Sequence, residues 1–295
     1  MRTMKLRCVA IILLGVLTGC ATPGPFLTQD LGAIRSGIAI TREQARVSFD
    51  AANKLALQQS IERKAGLPET IIKESDFTTP VSAADAAAWG NAFGILDTYG
   101  AALQSLVDPK RANDTGDAIG DLANILNGPA INAKIPASLT GLFSTFAQAL
   151  VQARAEKTAI TVMRRTDPAF HEVVSRMAAA IGASPRERGS LQDVVESNWT
   201  NSVLTGLDNR YQALRVGDAA RKQVLTDYAN AMISRDAQLA NLSQLHDSLL
   251  ALGEAHAAAA AGRPGDALFW IGRINGWLDD IKRRTDAAQK SGEGK

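Results

Sequence analysis

The side chains in this chain that could do chemistry are few and widely spaced. There are three histidines, His171, His246 and His256. His246 and His256 stand ten residues apart, which on a helix of about 3.6 residues per turn puts them well apart around the axis. Neither sits in a metal spacing such as His-x-x-x-His. Asp167 and His171 are four apart and placed to pair, but Asp167 precedes Pro168 and reads as a helix N-cap, with proline at the first helical position. All three histidines are expected on helix surfaces. Phe269, Trp270 and Trp277 could form an aromatic platform for a ligand, and read at least as well as the packing face of a closing helix. The chain has no phosphate loop of the Walker type and no nucleophile elbow. No catalytic, metal or cofactor residue is therefore assigned, and the chain is not expected to be an enzyme.

Glu74-Ser75-Asp76-Phe77, with Pro80 after it, resembles the Glu-Ser motif of lytic transglycosylases, in which the glutamate is the acid that cleaves murein. Two residues separate Phe77 from Pro80 where that family has one. Trp89-Gly90-Asn91-Ala92 stands where its Gly-Leu-Met-Gln block would be. A cell-wall-degrading activity is accordingly the least favoured reading, because a motif needs its structural context.

The amino terminus is more specific. Arg2, Lys5 and Arg7 precede ten uncharged, mostly apolar residues, Cys8 to Leu17. That run is too short for a bilayer, which needs about 20 residues as a helix, and has the make-up of a secretory signal. Leu17-Thr18-Gly19-Cys20 closes it. These four residues resemble the lipobox of bacterial lipoprotein precursors. The resemblance implies that the signal peptidase recognises Leu17, Thr18 and Gly19, that residues 1–19 are removed, and that Cys20 is lipidated on its sulfur and acylated on its new amino group. It also implies sorting: Ala21, rather than aspartate, follows the cysteine and favours the outer membrane, facing the periplasm. Two or three fatty chains make such an attachment stable where one does not.

Processing changes the chemistry of what remains. Cys8 leaves with the signal and the Cys20 sulfur carries lipid, so the mature chain has no free thiol and no cysteine-ligated metal. The signal takes Arg2, Lys5 and Arg7 with it, turning 32 basic against 30 acidic residues into 29 against 30. A chain this close to neutral, with no basic face, does not suggest nucleic acid as a partner. The expected partners are the membrane, through the lipid, and a protein.

The elements that hold these residues read as helices throughout: alanine is abundant, aromatics and β-branched runs are scarce, and prolines fall mainly between periodic segments. The expected fold is all-α, an elongated antiparallel helical bundle of several long helices with no β-sheet. Residues 20–27 form a short linker after the lipidated cysteine, 28–288 the bundle domain, and 289–295 a disordered tail. The periodicity predicts helices over 28–65, 82–108, 117–126, 138–165 and 167–182. A long helical region then reaches 261, weaker over 191–217, and a last helix starts at Asp266. In the strong half of the long region, Val224, Leu225, Tyr228, Met232, Leu239, Leu242, Leu245, Leu249 and Leu252 make the stripe.

One stretch stands apart. Residues 122–153 carry a single charge, Lys134, and 77–107 carry only Asp85 and Asp97. Ser138, Thr140, Ser144, Thr145, Gln148 and Gln152 make the second half of that stretch amphipathic, which favours burial of one side as the bundle's centre. Gly90, Gly94, Ala101 and Ala102 would then admit close neighbours. The alternative is a membrane-active protein that deploys 116–153 as a hairpin, an arrangement similar to that of helical pore-forming toxins. The reading favoured over both this alternative and the enzyme is a lipid-anchored binding, scaffold or accessory protein of the periplasmic face.

Overall fold

A computed structural model describes residues 25–65, 71–107, 120, 122–124, 137–153, 158–263 and 265–293. Among these there is no strand. The helices are α1 (Pro25–Ala65), α2 (Ala83–Val107), α3 (Ala137–Ala153), α4 (Ala159–Ile181), α5 (Leu191–Asn198), α6 (Thr205–Ala213), α7 (Ala220–Ala260) and α8 (Asp266–Glu293). A single 3-10 turn (Glu74–Phe77) precedes α2, and a π-helical turn (Trp199–Leu204) joins α5 to α6. The helix expected over 117–126 falls almost wholly outside the described residues. α8 runs past Ala288 to Glu293, into the segment expected as a disordered tail.

Local chemistry sets most of the boundaries. Ser82 Oγ accepts the Asp85 N–H at 3.0 Å and donates to the Asp85 carboxylate at 2.6 Å, which starts α2 where the sequence places it. Ser190 caps α5: its hydroxyl accepts the Asp193 N–H at 3.2 Å, and Asp193 Oδ2 accepts Gly189 N–H at 2.9 Å. Proline 168 does not open a helix, contrary to expectation. α4 begins nine residues earlier, after an N-cap at which the Thr158 hydroxyl accepts Thr161 N–H at 3.3 Å, and runs through Pro168. An interior proline costs about 3 kcal/mol. The helix tolerates it because Val162, Met163 and Thr166 before it, and Phe170, Val173 and Val174 after it, are all buried on one stripe. Asp167 is consequently a mid-helix residue and not a cap.

Pairs of side chains give the direction of each helix. Asn53 binds Val81 through both its amide atoms (2.8 and 3.0 Å), while Arg35 reaches Asp97 and Gln104, both at 3.1 Å, so α1 and α2 are antiparallel. Gln238 Nε2 donates to Ala51 O at 3.1 Å, and a Cβ on Gly37 would meet Leu252, so α7 is antiparallel to α1. Arg164 Nε donates to Ala260 O at 2.8 Å, and Asp167 meets His256 further along, so α4 is antiparallel to α7. α8 returns along α7 and lies parallel to α1: the Gln44 amide donates to Ile274 O at 3.1 Å, and Gly37 faces Ile271. The starts of α1, α4 and α8 and the ends of α2 and α7 therefore share one end of the bundle. Residues 71–82 and 182–219 share the other. A helix of 41 residues such as α1 separates them by about 60 Å.

Of the apolar residues spaced three, four and seven apart along α1, Leu31, Ile34, Ile38, Ala45, Phe49 and Ala52 are buried and Leu55 is half-buried. In the stripe of α7, Val224, Leu242, Leu245, Leu249 and Leu252 are buried, Tyr228 and Leu239 are half-buried, and Leu225 and Met232 are exposed. No described residue lies within 4 Å of where a Cβ on Gly90 or Gly94 would stand, so among the described residues the close neighbours expected there are not found. The close approaches are at Gly37, where a Cβ would strike Ile271, and at Gly253, where it would stand 3.0 Å from His171 and 3.1 Å from Val174.

In α3, Leu139, Phe143, Phe146, Ala147, Leu150 and Ala153 are buried, while Gln148, Val151 and Gln152 face outward. This is the one-sided burial that its polar residues suggest. No helix among the described residues is long and apolar enough to cross a membrane. Phe146, with no exposed surface, sits edge-on to Tyr99 with ring centres 5.0 Å apart. Replacing it with alanine is expected to cost about 3–5 kcal/mol, whereas Gln148→Ala should change stability by less than about 0.5 kcal/mol. Urea denaturation of the two variants measures both; equal effects would mean that α3 is not part of the core.

Candidate functional site

Two places in the bundle gather polar side chains in an unusual way. The first is a buried relay between α2, α4 and α7. The last turns of α7 are lined with Ala251, Ala255, Ala258, Ala259 and Ala260, and together with Gly253 these small residues let α4 come close. Into that contact α7 projects His256, fully buried and stacked on Phe170 with ring centres 4.2 Å apart. Its Nδ1 is 2.7 Å from Asp167 Oδ1, and its Nε2 is 2.8 Å from the Tyr99 hydroxyl. That hydroxyl is 2.5 Å from Thr166 Oγ1, which in turn lies 3.0 Å from Val162 O and 3.3 Å from Met163 O.

Two closed hydrogen-bond patterns satisfy this chain. With a neutral imidazole, Nδ1–H donates to Asp167, Tyr99 donates to Nε2, and Thr166 donates to Tyr99. With an imidazolium, both ring N–H groups donate, so Tyr99 donates instead to Thr166, and Thr166 to the backbone carbonyls of its own helix. Burial pushes the His256 imidazole below its ordinary range, against the pull of Asp167, and His171 nearby acts in the same direction as burial. Burial likewise raises the Tyr99 phenol. The neutral pattern is the one these shifts favour at neutral pH. Tyr99, Thr166 and His256 have no exposed surface, and the Asp167 side chain, 28 % exposed, is the relay's route to solvent.

This corrects the reading of the histidines as surface residues. His256 is a core residue, and Asp167 pairs with it across 89 residues rather than with His171. His171 is exposed, beside Gly253, and His246 is half-buried, with Nδ1 3.0 Å from Asp247 Oδ1. The alanine-rich face around His256 is the one sign of burial that the sequence carries.

The second place is an open groove of about 310 Å³ at the end of the bundle remote from the start of α1. Ser60 and Arg63 of α1, Thr78 and Thr79 ahead of α2, and Asn198 and Ser202 beside the π-helical turn line it. Gln59 also contributes, with its Nε2 buried and unpartnered. The turn is held from behind: Trp199 Nε1 donates to Gln238 Oε1 at 3.0 Å, and Thr205 Oγ1 donates to Thr200 O at 2.8 Å. π-turns of this kind open a helix and redirect side chains. The Asn, Ser and Thr residues that make 191–217 a weaker helical stretch are the residues of this turn and its rim. The groove offers hydroxyls, amides and one guanidinium, a set that hydrogen-bonds a polar ligand. Glu74 is exposed on the 3-10 turn and does not line it; the neighbouring Asp76 is occupied by Lys64 and the Lys73 N–H, both at 2.9 Å.

On α8, Ile274 and Ile281 are buried as expected, with Ala267 and Ile271. Trp270 and Trp277 are only half-buried, with the Arg273 guanidinium 5.2 and 4.9 Å from their ring centres, and Phe269 is exposed. Leu17, Thr18, Gly19 and Cys20 lie outside the described residues. No cluster of three His, Cys, Asp or Glu able to hold a metal ion occurs among the described residues. No family model, no curated protein and no solved structure matches this chain.

Two outcomes test the relay. Tyr99→Phe fits the same space but leaves His256 Nε2 unpaired, and should cost about 1–3 kcal/mol in chemical denaturation. The pH dependence has a definite sign. Below the ordinary histidine pKa of about 6.5 the unfolded chain takes up a proton that the buried imidazole refuses. Stability should therefore fall as pH drops from 7 towards the lowered folded value, and His256→Gln should flatten that slope. Identical pH profiles for the two proteins would show that His256 is not buried in the neutral form.

Proposed function

We propose that this protein is a lipid-anchored cell-envelope lipoprotein that acts as a non-catalytic binding, scaffold or accessory protein on the periplasmic face of the membrane. The observation that carries the proposal is Leu17-Thr18-Gly19-Cys20, ending five residues before α1 begins. A lipid at Cys20 holds one end of a long bundle at the bilayer and presents the other end, about 60 Å away, to the periplasm. That far end carries the polar groove, and the segment leading to the 3-10 turn exposes Ile71 and Ile72, 67 % and 76 % accessible. Apolar side chains exposed at the same end as a polar groove suit a protein partner. The catalytic role is not proposed because three of the four relay residues are fully buried and Glu74 stands on an open surface. Deployment of the 116–153 segment would have to unpack Phe143, Phe146 and Leu150 from the core.

Cys20→Ser is expected to leave the protein unprocessed or to release it from the membrane fraction. Ala21→Asp should move it from the outer- to the inner-membrane fraction on a density gradient. Mass spectrometry of the amino-terminal peptide reads the acylation directly, and membrane association unchanged by Cys20→Ser would refute the proposal.

A further inference from the structure

The same anchor imposes a second surface on the bundle, at its near end. Four residues separate Cys20 from Pro25, and the five Cα–Cα steps reach at most about 18 Å. The start of α1 is thus close to the bilayer whatever path those residues take, and α1 is level with the start of α8. Asp30, buried in the second turn of α1, accepts the backbone N–H of Gly265, and Gly37 packs against Ile271. Anything that α8 exposes in its first turns faces the same membrane.

What it exposes is amphipathic in the manner of an interfacial residue set. Phe269 is 62 % accessible, and Trp270 is half-exposed beside it with ring centres 5.4 Å apart. Arg273 lies exposed along the Trp270 ring, and Arg263 stands exposed in the hairpin between α7 and α8. Arg164 of α4 reaches the same end, where its Nε donates to Ala260 O. Among the described residues, acids here include Asp266, 3.5 Å from Arg263, and Asp30, which is buried and whose pKa that burial raises. Aromatic rings with a polar edge settle at the level of lipid headgroups, and arginines beside them meet the phosphates.

We propose that Phe269, Trp270, Arg263 and Arg273 form a docking surface for the headgroup layer of an anionic phospholipid bilayer, so that the lipid anchor and this face together fix the orientation of the bundle. It rests on acylation at Cys20, and the surface adds what a four-residue tether alone lacks: a definite side of the bundle turned to the membrane.

The acylated protein, reconstituted in vesicles of phosphatidylethanolamine and phosphatidylglycerol with bromine placed high on the acyl chains, provides the test. Tryptophan fluorescence should be quenched at Trp270, less at Trp277 two helical turns, about 10 Å, further along α8, and not at Trp199 in the far end. Trp270→Phe should therefore remove most of the quenched signal and Trp199→Phe none of it. Phe269→Ser and Arg263→Glu, both at exposed positions, should each reduce the quenching without altering the circular dichroism. Salt at about 1 M, where charges are screened within ~3 Å, should reduce it further. Quenching absent from a protein whose acylation has been verified by mass would overturn the docking surface and leave the anchor standing. A Cys20 found bare of lipid would overturn the anchor, and with it the surface.

Discussion

A buried imidazole can stay in a dry core only while every polar atom around it is paired, and that requirement fixes how α2, α4 and α7 meet. Asp167 and Thr166 come from α4, Tyr99 from α2 and His256 from α7. Shifting any one of these helices by a turn, about 5.4 Å, would leave at least one of the four groups without a partner. Apolar packing alone is more forgiving, since the alanine-lined end of α7 could slide along its neighbours with little change in buried area. The relay therefore specifies register, and the apolar cluster around it, with Phe146 and Phe170 against Tyr99, supplies the stability.

Much of the architecture is legible in the sequence because helix chemistry is local. The capping serine of α2, the stripe of α1 from Leu31 to Ala52 and the glycine-rich break before α8 announce themselves within a few residues. Where the reading fails, long-range packing has outweighed a local preference. Pro168 favours a helix start, yet burial on both sides carries α4 through it. Gly90 and Gly94 look like contact points only if a neighbour lies opposite, which periodicity cannot say.

The candidate sites were less legible for the same reason. The Asp167–His256 pair spans 89 residues and the His256–Tyr99 contact spans 157, so no spacing rule connects them. The short-range alternative, Asp167 with His171, is the pair a reader of the sequence sees first. The groove depends on a π-helical turn, whose cause lies partly in Trp199 reaching Gln238 on α7. Only the dilution of that stretch by Asn, Ser and Thr was visible beforehand. The lipobox, by contrast, is contiguous and is read without any fold at all.

The two ends of the bundle differ in a way that follows from its topology. α1 and α8 run parallel because both pack antiparallel to α7, and they also touch each other directly. The first and last helices thus begin at one end, beside the anchor, and the long loops collect at the other. At the near end, Asp30 is retained in a buried position with one backbone donor, and with Asp266 opposing its ionisation. A carboxyl held in that way contributes little to stability at neutral pH, since burial disfavours its charged form. What it does provide is a fixed contact between the start of α1 and the hairpin before α8. A tether attached to α1 would then transmit its position to α8 through a joint of defined geometry, and the side of the molecule bearing Phe269 and Trp270 would have a set direction relative to the anchor.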